Sequence, residues 1–113
     1  MSKPLFVGPD GQAIDRDEWE RLWGERVKTL DHPESWWRKR TDISDDVSVS
    51  TVWVGLIAPI AWEAMIFGGD FDGYEWRYAT RQEAFDDHER IVRTLRAGKD
   101  PAPRLSKKLG RGG

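Results

Sequence analysis

Two apolar, strand-like runs with almost nothing between them constrain this chain most. Val47–Leu56 is long and rich in β-branched residues, and Trp62–Phe67 follows a few residues later. Both read as strands. Pro59 lies between them and cannot donate to a sheet ladder, so 57–60 is read as a connection. A parallel crossover needs about a dozen residues or more, so a link this short makes the two strands antiparallel neighbours. Two more strands extend the pair. Trp36–Ile43 is a polar strand that reaches Val47 through a Ser44-Asp45-Asp46 turn. Tyr74–Tyr78 follows the loop Gly68-Gly69-Asp70-Phe71-Asp72-Gly73. The result is a four-strand meander.

The alternation inside Val47–Leu56 is irregular. One parity holds Val47, Val49, Thr51 and Trp53. The other holds Ser48, Ser50, Val52, Val54 and Leu56. Apolar character changes face near Thr51-Val52, which calls for a bulge there or for cover on both sides of the far half.

Two helices flank the meander. Asp15 is a candidate N-cap, with Glu18 three residues on. Trp19, Leu22, Trp23 and Val27 then mark one face of a helix over roughly 16–27. Thr80-Arg81-Gln82-Glu83 is a capping box, and Ala84, Phe85, His88, Ile91, Val92 and Leu95 form the stripe behind it. Acidic residues stand early in this second helix, arginines stand late, and Gly98 ends it. Pro4–Val7 reads as a short fifth, N-terminal strand before the Gly8-Pro9-Asp10-Gly11 turn. Amphipathic helices need a sheet face to cover, so the expected fold is α+β, a two-layer sandwich. Residues 1–98 form one domain. Residues 99–113, rich in Pro, Gly and base, read as a flexible tail.

Composition sets further bounds. The chain has 113 residues, no cysteine and a formal charge of -2. Its length suits one domain with a core of its own. Without cysteine there is no disulfide, thiolate nucleophile or cysteine-based zinc site, which fits a reducing, cytoplasmic setting. A spanning helix needs about 20 apolar residues, and no run approaches that, so no membrane role is expected.

At the meander the chain resembles a family of short proteins encoded by tailed phages and prophages of actinobacteria. The residues that carry the resemblance are Val49-Ser50-Thr51-Val52-Trp53-Val54-Gly55-Leu56, Trp62-Glu63-Ala64-Met65-Ile66-Phe67-Gly68, Arg77-Tyr78-Ala79-Thr80, Glu83-Ala84 and His88-Glu89. It covers about residues 36–92, with an echo in Asp10–Ile14 and Trp19. It implies a phage or prophage setting and brings no reaction with it. Members of the family often place an Asp-His pair after the Gly-Leu. Here Gly55-Leu56 is followed by Ile57-Ala58-Pro59, so nothing is carried over to those positions.

Candidate functional residues are few. Glu63 stands in an apolar strand, and its fate depends on register. Pairing Phe67 with Tyr74 buries it among Met65 and Trp76, whereas pairing Gly68 with Tyr74 sets it beside Arg77 and Glu75 as a surface salt bridge. His88, on an apolar stripe, is expected to be a core histidine bonded to a carbonyl or a carboxylate. No second histidine stands at ligand spacing, so neither a metal nor another cofactor is expected. Asp70-Phe71-Asp72-Gly73 opens like a calcium loop but lacks its closing Glu, and reads as a turn.

Three functions follow from these residues. The leading one is a non-enzymatic phage or prophage accessory protein that binds a host or phage protein, with Trp36, Trp37, Trp53, Trp62 and Glu63 as contacts. The alternative is a nucleic-acid binder that uses Arg38, Lys39 and Arg40 beside Trp36-Trp37, together with Lys107 and Lys108 of the tail. An enzyme comes last, because it requires Glu63, His88 and Arg77 to converge.

Overall fold

The computed structural model describes residues 6–32 and 35–102. The chain runs β1 (Phe6–Val7), β2 (Ala13–Ile14), α1 (Arg16–Lys28), β3 (Arg38–Asp42), β4 (Ser48–Ile57), β5 (Ile60–Phe67), β6 (Glu75–Tyr78) and α2 (Arg81–Arg96). The last four strands form one antiparallel sheet in the order β3-β4-β5-β6, while β1 and β2 pair separately as a small hairpin. This is the expected α+β meander. The N-terminal strand belongs to the hairpin and does not extend the sheet.

Local chemistry accounts for both helix starts. The Asp15 side chain accepts from the Glu18 backbone N–H at 2.8 Å. Thr80 and Glu83 complete a reciprocal capping box. Gly98 follows the C-cap residue Ala97 at φ 72°, where a Cβ would be strained.

The ladder runs unbroken from Ser48 opposite Phe67 to Trp53 opposite Trp62. Val49, Thr51 and Trp53 therefore share one face with Trp62, Ala64, Ile66, Trp76 and Tyr78, and all eight are buried. α2 lies over this face with Ala84, His88, Ile91 and Val92 inward. The expected change of face at Thr51-Val52 does not occur as a bulge. Thr51 keeps to the core side because His88 satisfies its hydroxyl. Val52 and Val54 alternate with these core residues and are half-buried. The irregularity comes later, between Trp53 and Ile57, around Gly55 at φ 58°. A side chain at that glycine would meet the Val7 carbonyl oxygen at 2.3 Å. β4 then turns back over Ala58-Pro59, with Ile57 opposite Ile60, so the expected four-residue connection is a tight hairpin.

α1 covers the far end of the same face. Trp19 stacks on Trp23 at 4.8 Å, and both rings lean on Trp53 at 6.3 and 6.1 Å. The cover is light: no α1 residue is fully buried. Val27, expected on its apolar face, is 53% exposed. Near the end of the described residues Pro101, which falls in the stretch expected to be a tail, is fully buried.

Candidate binding groove

His88 shows how the core handles polarity. Its two ring nitrogens meet Thr41 Oγ1 at 2.9 Å and Thr51 Oγ1 at 2.7 Å. The partners are hydroxyls, not the carbonyl or carboxylate expected. A hydroxyl can donate or accept, so the neutral imidazole is satisfied in either tautomer. Burial, helped by the nearby Lys39 cation and opposed by Glu89, lowers the His88 pKa from 6.5 to about 4. Held neutral between two threonines on the covered face, His88 is remote from the Glu63–Arg77 pair on the open face. Those three residues do not converge.

Glu63 lies opposite Arg77, with Met65 opposite Glu75. The register continues to Ile66, whose N–H donates to the Tyr74 carbonyl at 3.0 Å. Neither of the two expected pairings is made. The one that forms nevertheless has the parity of the surface alternative. Arg77 Nε stands 3.5 Å from Glu63 and Nη2 stands 3.6 Å from Glu75, with both glutamates partly exposed.

The expected contact tryptophans do not form a patch. Trp37, Trp53 and Trp62 are buried. Their indole N–H groups donate to Thr29 Oγ1, the Val7 carbonyl and the Pro9 carbonyl. Trp36 is half-buried with its ring 5.5 Å from that of Trp53. Of the five expected contacts only Glu63 and Trp36 keep open surface, and they lie on different parts of the fold.

The expected basic strip is also split. Strand alternation sends Lys39 toward α2, where it pairs with Glu89. Arg38 turns back to donate to the carbonyls of Leu30 and His32, over the Trp37 ring. Arg40 pairs with Asp42 at 3.2 Å. Each of the three thus has a partner within the fold, and Arg40 alone remains exposed. Lys107 and Lys108 lie outside the described residues. Asp70–Gly73 is a turn, closed by the Gly68 N–H on Asp72 Oδ1 at 2.7 Å. No group of acidic or histidine side chains suited to a metal occurs among the described residues. None of the described helices is long and apolar enough to cross a membrane.

What the structure does assemble is a groove of about 630 Å³ between the β6 edge and the flank of α2. Trp76, Arg77, Tyr78 and Ala79 supply one side; Glu83, Asp86, Asp87, Arg90 and Arg93 supply the other. The α2 residues recur at helical spacing, so this row is the helix flank next to the buried stripe. Tyr78 donates to Asp87 Oδ2 at 2.6 Å, and Arg90 holds the same carboxylate. Burial first, and then the Asp87 carboxylate, push the Tyr78 phenol up, so it stays protonated. The Trp76 indole N–H is buried and has no hydrogen-bond partner among the described residues.

β6 is an edge strand, and its bonding pattern follows from register. In an antiparallel pair, residues alternate between exchanging bonds with the neighbour and pointing away. Ile66 and Tyr74 bond, so Ala64–Trp76 and Trp62–Tyr78 bond as well. The N–H and C=O groups of Glu75 and Arg77 therefore face outward, along the rim of the groove. Strand periodicity could have marked Tyr74–Tyr78 as an edge. The α2 flank beside it is legible only once the sheet order is known.

These features define a two-layer α+β protein in which, among the described residues, the β6 edge is open beside a helix-walled groove. The chain matches no family model, no curated protein and no solved structure.

Proposed function

We propose that this chain is a non-enzymatic accessory protein of a phage or prophage that acts by binding a host or phage protein, and that the β6–α2 groove is the contact. The observation that carries the reading is the outer edge of β6, unpaired among the described residues and set against a charged helix flank. Free edges invite pairing, and proteins usually block them with lysine, proline or a covering segment. β3, the opposite edge, follows that practice with Arg38, Lys39 and Arg40. β6 has no proline and carries a single cation, Arg77.

The test is site-specific photocrosslinking in lysate of a lysogenic host, with a benzophenone side chain at Asp86 in the groove or at Val27 on the outer side of α1. A discrete protein adduct from position 86 and none from 27 is the expected result. Adducts only from position 27, or from neither position, would overturn the reading.

A further inference from the structure

We infer that the protein seated at this groove is a second copy of the chain, its β6 pairing antiparallel with this β6 about a twofold axis at Trp76. This rests on the protein-binding reading above and deepens it by naming the phage protein that is bound.

The strand edge supplies the first argument. β6 ends the sheet, and among the described residues the outward groups of Glu75 and Arg77 have no ladder partner. In a twofold antiparallel pair each copy makes the same contacts in opposite order. Outward residues must meet outward residues for bonds to form, so the register can move only in steps of two. Glu75 opposite Glu75 sets two carboxylates together, and Arg77 opposite Arg77 sets two guanidiniums together. Like charges directly opposite are destabilising. The register between those two sets Glu75 opposite the partner's Arg77 at both ends, with the two Trp76 residues facing each other at the centre. Within one chain Arg77 makes only long contacts, 3.5 Å to Glu63 and 3.6 Å to Glu75. In the pair it stands between its own Glu63 and the partner's Glu75.

The mixed charge of the groove supplies the second argument. Glu83, Asp86 and Asp87 stand early on the α2 flank, and Arg90 and Arg93 stand late. Such a row suits neither a purely acidic nor a purely basic segment, but it complements itself turned end for end. The bond from Tyr78 to Asp87 sets the level of the helix against the strand. From Tyr78 back to Trp76 the strand covers about 6.6 Å. About four helix residues cover that length, so the axis passes α2 near Arg90. Turned about that level, Arg93 of each copy comes toward Asp87 of the other. α2 lies over β4 and β5, which sets the two helices four strand spacings, or about 19 Å, apart. Helices in contact stand about 8–10 Å apart, so these do not collide, and their charged side chains meet between them.

The chain's own residues outside the described range do not fit the edge as well. Residues 1–5 and 103–113 contain no Asp or Glu, so neither offers a side chain that answers Arg77. Residues 33–34 are held between His32 and Ser35, both bonded to Arg38 on the opposite edge strand.

The test is sedimentation velocity of the full chain across a concentration series reaching the high micromolar range. A reversible dimer is expected. Glu75→Arg and Arg77→Glu should each weaken it at least tenfold, because each sets like charges opposite in both pairs. Mixing the two variants should restore a dimer of one copy each, since every opposed pair then has opposite signs. A merely structural role for either residue gives no such rescue, and circular dichroism checks that each variant is folded. In the unmodified chain the Glu75 and Arg77 amides should exchange more slowly as concentration rises; if either variant is unfolded, this measurement decides. A chain that stays monomeric, a dimer indifferent to both reversals, or folded variants that do not pair on mixing would each overturn the proposal. So would amides already protected in the monomer, because other residues of the same chain would then cover the edge. Crosslinking separates this proposal from the reading beneath it. Benzophenone at position 86 should join two chains. A monomeric chain whose position 86 captures a different protein would remove the second copy and leave the protein-binding reading standing, whereas no adduct from position 86 would remove both.

Discussion

Lowering the pH below 6.5 should destabilise this fold through His88. His88 is held neutral in the folded state, with its pKa lowered from 6.5 to about 4. The unfolded chain binds that proton near 6.5 and the folded chain refuses it until about 4. Stability is therefore full above pH 6.5, falls as the pH drops through this window, and loses nothing further from His88 below it. Each pH unit inside the window costs about 1.4 kcal/mol, so the whole window costs about 3 kcal/mol. By pH 5 the loss is about 2 kcal/mol, a large share of the roughly 5–15 kcal/mol that holds a typical domain together. Glu18 and Glu89 are held below their ordinary 4.5 by Arg21 and Lys39, so their contribution is lost only as the pH falls below that range. Urea unfolding at half-unit steps from pH 7.5 to 5 measures the effect free of them. His88→Gln keeps a donor and an acceptor near Thr41 and Thr51 but cannot titrate, so its stability should be lower at pH 7.5 and flatter toward pH 5. A wild-type curve flat to pH 5, a variant with the same slope, or an imidazole that titrates near 6.5 in proton NMR would refute the reasoning.

Two further perturbations test the sheet. Gly55→Ala must hold alanine at φ 58° against the Val7 carbonyl, and should cost at least the roughly 1–3 kcal/mol of a strained backbone position, read by thermal unfolding. Glu63→Gln removes a half-exposed ion pair with Arg77 and should change stability by less than about 1 kcal/mol in the same assay; a loss several times larger would mean that the carboxylate is buried.

The helices and the meander were legible because their signals are local. Thr80 with Glu83 and Asp15 with Glu18 mark helix starts within four residues, and the Ser44–Asp46 and Ala58-Pro59 turns are too short to allow anything but antiparallel neighbours. What failed depended on contacts distant in sequence. Thr51 counts as polar in any alternation test, yet it belongs to the core because a histidine 37 residues later supplies its bond. The β5–β6 register was undecided because the loop admits several pairings, and parity alone sets the environment of Glu63. Trp37 and Trp53 looked like contact residues because tryptophan is favoured at interfaces, but backbone and hydroxyl acceptors from other elements allow them to be buried. The groove left no mark in the sequence, since β6 and the flank of α2 meet only after the chain reverses at Ala79-Thr80.

The buried indoles also bear on how freely this sequence can drift. Trp53 and Trp62 use their nitrogens to fasten the N-terminal hairpin to the sheet, through the carbonyls of Val7 and Pro9. Phenylalanine at either place would preserve ring stacking and leave that hairpin unlatched. Trp76 donates to none of the described residues, so phenylalanine there would remove an unanswered donor at little cost to packing. Seven identical letters thus fall under unequal constraint: some tryptophans here are fasteners and at least one is filler, and substitution patterns among related chains should divide along that line.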